Sequence, residues 1–316
     1  MNLLIIGNGF DLAHGLKTNY NDFLQWAYDS CEMETFPYTD SRGKLKFFNL
    51  PEHWRALDNE EARMLYQRAC TEDDNFPPRF VDVLFKRVNT WIDLENNIAQ
   101  IIEDNSATWQ RNKVDPLFTE IFEKFLVLKL GKYISEIINS VEIVQVFHIE
   151  GVDRVLSFNY SNTFERLYDT KAEICYINGK AVANAKQSNI VFGCDCYDYS
   201  QIELTRFNKI AQRTSIGISG KYRQWLSDMD SIGHRIFVVG HSLGKTDWHI
   251  IRPFITSKNC ETTVYYHSDK SKEELIHQTF GMVGDQFMIQ HGIQFTNTLD
   301  LKIERTPVAT VIKLQR

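Results

Sequence analysis

The first eleven residues constrain this chain more than any other stretch. Asn2-Leu3-Leu4-Ile5-Ile6 runs straight into Gly7-Asn8-Gly9-Phe10-Asp11. A short, wholly apolar run closed by glycines predicts a strand buried on both faces, as in a parallel sheet covered by helices, with a sharp turn at its carboxyl end. In open α/β sheets ligands bind at that end, where glycine lets a phosphate approach the backbone and the amides of the next helix. Gly7, Asn8, Gly9 and Phe10 are therefore candidate cofactor-binding positions. The plain alternative is a tight turn: the dinucleotide fingerprint asks for a third glycine where this chain has Leu12. Asp11 is out of place beside a phosphate unless it serves another group, such as a ribose hydroxyl.

The 316 residues, 43% of them hydrophobic, allow two average domains or one large α/β domain with an insertion. A net charge of −6 with no long run of Lys or Arg gives no electrostatic footprint for nucleic acid. No apolar run approaches the roughly 20 residues that span a bilayer, so no membrane partner is expected. Cys31, Cys70, Cys175, Cys194, Cys196 and Cys260 form no CxxC pair and follow no secretory signal; reduced thiols and a cytoplasmic location are expected. Cys194-Asp195-Cys196 lacks the two further ligands of a zinc site, and no metal is expected.

Helical spacing is present over 18–28, 57–70, 79–103 and, from Asp115-Pro116, over 115–146, while 31–51 reads as irregular. Residues 30–149 thus read as a helical insertion in a core made of 1–29 and 150–316. One stripe of the third helix carries Leu84, Val88, Trp91, Glu95, Ile98 and Ile102, a carboxylate within an apolar face. A buried Glu needs a partner or a purpose. Glu95 therefore either joins a ligand pocket or reaches a lysine or solvent.

After Gly151, apolar runs over 152–158, 174–177, 190–192, 235–239 and 262–266 alternate with helical patterns over 163–168, 204–213, 221–229, 248–255 and 272–280. That alternation predicts a parallel sheet. The strand ends deliver Asn159-Tyr160-Ser161, Asn178-Gly179 and Gly240-His241-Ser242-Leu243-Gly244 with Asp247. In a doubly wound sheet these tips converge with Gly7–Asp11 on one edge.

Gly7-Asn8-Gly9-Phe10-Asp11, Trp91-x-x-Leu94-Glu95, Leu156-Ser157-Phe158-Asn159-Tyr160, Tyr176-Ile177-x-Gly179-Lys180 and Gly240-His241-Ser242-Leu243-Gly244 with Asp247 together resemble the AbiH family of bacterial abortive-infection proteins. The resemblance runs over nearly the whole chain. That family is similar in turn to sirtuins and to sirtuin-like NAD hydrolases used against bacteriophage. The resemblance implies an α/β fold with a Rossmann-like, sirtuin-like parallel sheet, a large helical insertion and NAD as the bound nucleotide. It implies Gly7 and Gly9 at the pyrophosphate, Asn159 at the nicotinamide-side ribose with the attacking water, Asp11 at a ribose hydroxyl and Ser242 on the adenosine side. Gly240, Asp247 and Glu95 join them as candidate cofactor-binding residues.

Two CxxC pairs would be needed for a sirtuin zinc module, and the chain has none. Deacylation gives way to NAD cleavage, an NAD glycohydrolase releasing nicotinamide and ADP-ribose. Asn159, Asn178 and Asp11 form the implied catalytic set. Where the family pattern has His-Gly, this chain has Asn178-Gly179. Asn takes no proton near neutrality, and loss of such a base costs about 10²- to 10⁴-fold, so weak activity is expected. The expected partners are NAD or ADP-ribose and a trigger, whether a phage component, another protein or a homo-oligomeric switch, seated on residues 79–146.

Two other function classes compete. One is an NAD or ADP-ribose sensor that binds without cleaving. The other is a serine hydrolase, because Gly240-His241-Ser242-Leu243-Gly244 is a G-x-S-x-G elbow. Ser242 would attack, Asp247 or Asp269 would orient, and His267 or His277 would act as base. His241, Asp247, His249 and His267 also invite a metal reading, which the i, i+2 spacing of Asp247 and His249 on one helix disfavours.

Overall fold

A computed structural model describes residues 1–30, 35–39, 45–49, 91–112, 118–119, 121–168, 171–182, 189–194, 202–229 and 233–304. In chain order the strands are β1 (Asn2–Ile6), β2 (Thr35–Thr39), β3 (Leu45–Asn49), β4 (His148–Ile149), β5 (Arg154–Ser157), β6 (Glu173–Tyr176), β7 (His234–Val239), β8 (Cys260–Tyr266), β9 (Gln294–Asn297) and β10 (Lys302–Ile303). The α-helices used below are α1 (Asn8–Ala13), α2 (Tyr20–Ser30), α3 (Trp91–Asn112), α4 (Thr163–Leu167), α5 (Lys209–Ser215), α6 (Ile218–Met229), α7 (Trp248–Ile255), α8 (Asp269–Val283) and α9 (Asp285–His291).

Six strands form one sheet in the order β6-β5-β1-β7-β8-β9, and every pairing in it is parallel. Counted by order of use within the sheet, this is 3-2-1-4-5-6, the strand order of the Rossmann fold. The chain fills one half outward from β1, returns to the centre at β7, and fills the other half. The crevice outside the carboxyl end of β1 is the topological switch point.

β1 has the composition that its position demands. Leu3 and Ile5 face a core with Leu156, Ile236, Val238 and Val264 beneath α6 and α7. Leu4 and Ile6 face the opposite core, with Val155, Val239, Phe10, Phe164 and Tyr168. Both faces are covered, so strict alternation of polar and apolar residues is absent. Each such Leu or Ile contributes about 1.5–3 kcal/mol by burial.

A third core unites α2, α3 and the helical stretch from Ile121 to Ser140 with buried residues between Ala181 and Phe207. Leu94, Ile98, Ile101 and Ile102 supply the apolar face of α3. Within 121–140, π-helical turns at Ile121–Lys129 and Tyr133–Ile137 flank an α-helical turn at Leu130–Lys132.

Several elements differ from the pattern expected of the sequence. Within 31–51, expected to be irregular, Thr35–Thr39 and Leu45–Asn49 pair as an antiparallel hairpin with Pro37 opposite Phe47. A two-stranded ribbon always has a free edge, which accommodates a residue with no amide to donate. Residues 190–192 are buried and extended but join no ladder. Instead Gln212 serves as their partner, Oε1 accepting from the Phe192 amide at 3.0 Å and Nε2 donating to its carbonyl at 2.6 Å.

The pattern over 204–213 divides into a 3₁₀ turn, Ile202–Phe207, and α5, because Asn208 caps α5 by accepting from the Ala211 amide at 2.9 Å. The helix expected to reach 146 ends at Ser140; its start, the helix over 57–70 and residues 79–90 lie outside the described residues. β9, α9 and the short pair β4 and β10 had no counterpart in the pattern. Cys175 and Cys260 are free, whereas Cys194 is disulfide-bonded, against the expectation of reduced thiols throughout; cysteine count alone assigns no pairing. Among the described residues no helix is long and apolar enough to cross a membrane.

The tightest point of the fold is Gly240, at φ +65°, where an added Cβ would lie 2.1 Å from the Phe10 nitrogen and 2.4 Å from the Gly9 carbonyl carbon. Gly284 shares a positive φ, +80°, but a Cβ there meets nothing within 4 Å. Gly284→Ala should cost about 1 kcal/mol, the left-handed penalty alone. Gly240→Ala should cost several-fold more or prevent folding, as read by urea unfolding of the two variants side by side.

Candidate functional site

Four strand ends, those of β6, β5, β1 and β7, bring the polar tips to one edge of the sheet. On the β7 side the contact is backbone to backbone. The Gly7 amide donates to the Val239 carbonyl at 3.3 Å and the Gly9 amide to the Gly240 carbonyl at 2.8 Å, while the Phe10 amide returns to Gly7 at 2.8 Å. A Cβ on Gly7 would lie 2.8 Å from the Gly240 oxygen and the His241 Cα, and one on Gly9 2.8 Å from the Gly240 Cα. This approach of two turns is sufficient reason for glycine at all three positions. It also occupies the amides of Gly7, Gly9 and Phe10. The Phe10 side chain points into the core, packed with His14, Phe147, Phe164 and Tyr168 rather than facing a ligand.

The β5 side is bridged by side chains. Asp11, in the first turn of α1, accepts through Oδ2 from the Ser161 hydroxyl at 2.5 Å, and Ser161 meets the Thr163 hydroxyl at 3.0 Å. Burial without a cation raises the Asp11 carboxyl to about 6, with Ser161, Thr163 and Asn159 beside it opposing the shift. Asp11 Oδ1 and Asn159 Nδ2 are both buried and both lack a hydrogen-bond partner. An acceptor and a donor thus stand unsatisfied at the switch point, a costly arrangement for a core. A vicinal diol matches them, one hydroxyl donating to the carboxylate and one accepting from the amide. The donor set fits a ribose; the turn amides, already bonded within the protein, give no matching fit to a pyrophosphate.

Asn178, after β6, is held at both ends of its amide. Nδ2 donates to the Phe158 carbonyl at 3.0 Å, and Oδ1 accepts from Arg213 Nη2 at 2.7 Å. Arg213, 1% exposed, also donates to the Ile177 carbonyl at 3.3 Å and to Asp247 Oδ1 at 3.3 Å, and lies 3.3 Å from His249 Nε2. Asp247 Oδ2 is 3.4 Å from His241 Nε2. The Leu243 amide donates to His241 Nδ1 at 2.9 Å, which places the ring proton on Nε2, toward Asp247. Lys209, Arg213 and His241 hold the Asp247 carboxyl well below the carboxylate range despite its burial.

Glu95 reaches into the same cluster from α3. Its Oε1 lies 2.5 Å from Lys209 Nζ, with both side chains buried. Burial raises the Glu95 carboxyl, and Lys209 and Arg213 oppose the rise. Glu95 therefore meets a lysine, one of the two outcomes its stripe allowed, but it does so inside the protein.

The structure thus joins Asp11 with Asn159, and Asn178 with Asp247 and Glu95. Ser242 stands apart: it is exposed, and among the described residues no histidine bonds it. Asp247 is engaged with His241 and Arg213, and His267 with Ser271 at 2.9 Å. Leu243, not Ser242, carries the positive φ of 54°, so the strained nucleophile of a hydrolase elbow is missing. Among the described residues no group of three or more His, Cys, Asp or Glu side chains is placed to hold a metal ion. Lys209 and Arg213 were not singled out in the sequence. The one sign of them was Glu95 itself, whose burial demands a cation without saying which.

A family model described as Bacteriophage abortive infection AbiH matches residues 3–266. No curated protein matches the chain.

Asp11 has a folded-state pKa of about 6 against an ordinary 3.8, so the folded state binds its proton more tightly than the unfolded chain. Its contribution to stability is fullest below about pH 4 and is lost as pH rises through about 6. Asp11→Asn removes this dependence. Relative to wild type, the variant should gain about 3 kcal/mol of unfolding free energy between pH 4 and pH 7. Urea unfolding at the two pH values measures it, and a constant difference would place the ionisation elsewhere.

Proposed function

Because the chain belongs to the AbiH family of bacteriophage abortive infection proteins, whose role is in abortive infection, we propose that it acts on NAD at the switch point. The reaction is hydrolysis of the N-glycosidic bond between nicotinamide and ribose. The observation that carries this reading is the unsatisfied pair, Asp11 Oδ1 and Asn159 Nδ2, at the centre of a 3-2-1-4-5-6 sheet.

Asp11 and Asn159 bind the ribose diol, and Asn159 orients a water toward the anomeric carbon. The bond to nicotinamide breaks with its electron pair leaving on the nitrogen, which neutralises the pyridinium. The buried carboxylate stabilises the positive charge that develops on the ribose. Water oxygen then bonds to the carbon, and its proton passes to Asp11 and on to solvent. A carboxyl with a pKa near 6 is mostly ionised at pH 7 and is still basic enough to accept that proton. Asn178 has both ends of its amide engaged by Phe158 and Arg213; it positions and takes no proton, so turnover is slow.

That same observation favours a second reading, in which the chain binds NAD or ADP-ribose as a sensor and does not cleave. Nicotinamide release and nucleotide binding by calorimetry separate the two. Under the first reading, wild type releases nicotinamide slowly, with a rate that rises through about pH 6. Asp11→Asn lowers the rate at least 10²-fold, and Asn178→His raises it by about 10²-fold. Binding of both nucleotides with no release by any form would leave the sensor. Binding of neither would remove both readings.

A further inference from the structure

Glu95 belongs to the helical layer, and what it touches belongs to the sheet. From Glu95 the contacts run to Lys209 on α5, at 2.5 Å. Lys209 and Arg213 are four residues apart on α5 and so share a face. Arg213 then grips both the end of β6, through Ile177 and Asn178, and the turn after β7, through Asp247. The strands between them in the sheet, β5 and β1, carry Asn159 and Asp11 at their ends. The cluster is balanced, with Glu95 and Asp247 against Lys209 and Arg213, and each of the four is buried.

Stability alone does not call for such a cluster. Exchanging a buried ion pair for apolar side chains of similar volume is often neutral or stabilising, while removing one partner is strongly destabilising. What a buried pair does supply is a single geometry, because any other arrangement strands a charge. The helical layer holds the site at a second place as well. Trp91 Nε1 donates to the Thr18 carbonyl at 2.8 Å, and the Tyr133 hydroxyl donates to the Lys17 carbonyl at 2.5 Å, on the loop that follows α1 and Asp11.

We propose that Glu95 is a positioning residue: through Lys209 and Arg213 it fixes Asn178 and the turn after β7, so that the helical layer sets the geometry of the ribose site. The layer is then the control surface of the protein. A trigger that displaces α3 need not enter the crevice to alter it. This inference rests on the ribose reading of Asp11 and Asn159 for its functional meaning, but the coupling from Glu95 to Asn178 is measurable without a nucleotide.

The test is the double variant Glu95→Met/Lys209→Met in the full chain, with three measurements: unfolding free energy, affinity for NAD and ADP-ribose, and the ¹⁵N–¹H signals of the Asn178 side-chain amide. The expected result is a protein at least as stable as wild type, with nucleotide affinity reduced 10-fold or more and the Asn178 signals displaced. Unchanged affinity and unchanged signals in a folded double variant would overturn the proposal, leaving the cluster a packing device. Should the double variant not fold, Glu95→Gln, which keeps the shape and removes the charge, is read by the same signals: displacement supports the coupling, and coincidence with wild type refutes it. If wild type itself binds neither nucleotide, the ribose reading falls, and the Asn178 signals alone still decide the coupling.

Discussion

The architecture depends on two turns meeting without side chains. At Gly9 and Gly240 the backbone after β1 and the backbone after β7 are joined by an amide-to-carbonyl bond of 2.8 Å. Any Cβ between them would force the turns apart. This seals the switch point on the side of β7 and leaves the side of β5 to be closed by side chains. The crevice is therefore asymmetric: one wall is backbone with its hydrogen bonds already made, and the other is Asp11, Asn159, Ser161 and Thr163, with bonds still to make. Selectivity for a hydroxylated ligand over an anionic one follows from that division.

Three carboxylates are buried among the described residues: Asp11, Glu95 and Asp247. Glu95 and Asp247 face cations, whereas Asp11 faces hydroxyls and an amide. The paired carboxylates lie in a network that can hold only one arrangement without stranding a charge. Asp11 remains the group with free energy stored in its ionised form, and a ligand that satisfies it recovers part of that cost. Rigid surroundings and one unsatisfied group are what a preorganised site requires.

Much of the sheet is legible in the sequence because its strands are apolar runs that stop at glycine or a small polar residue. β1, β5, β6, β7 and β8 all follow that rule. β9 does not: Gln294-Phe295-Thr296-Asn297 lies at the sheet edge, where only one neighbour must be satisfied and polar residues are tolerated. The hairpin over Thr35–Thr39 and Leu45–Asn49 was hidden by its proline and by the absence of an apolar run. Glycine in the first turn was conspicuous, but a glycine that yields to a ligand and one that yields to a neighbouring turn look alike until the neighbour, Gly240, is in place. Glu95 announced itself by interrupting an apolar stripe. Its partners did not, because Lys209 and Arg213 sit in an ordinary helical pattern and become buried only when α3 packs over α5. Asn178 was visible as a departure from the family pattern; that its amide is engaged at both ends could be known only from the fold.

The family match ends at residue 266, which is also the last residue of β8. Everything after it, α8, α9, β9 and β10, is built onto the outer margin of the sheet. β7 and β8 stand between β9 and the crevice beside β1. The chain therefore has a conserved-topology interior and a peripheral annex, two strands removed from the chemistry. Ile289 and Leu299 are exposed on that annex. Lengthening, trimming or redecorating it leaves the central turns and their hydrogen bonds untouched, so this margin can diversify while the crevice stays the same.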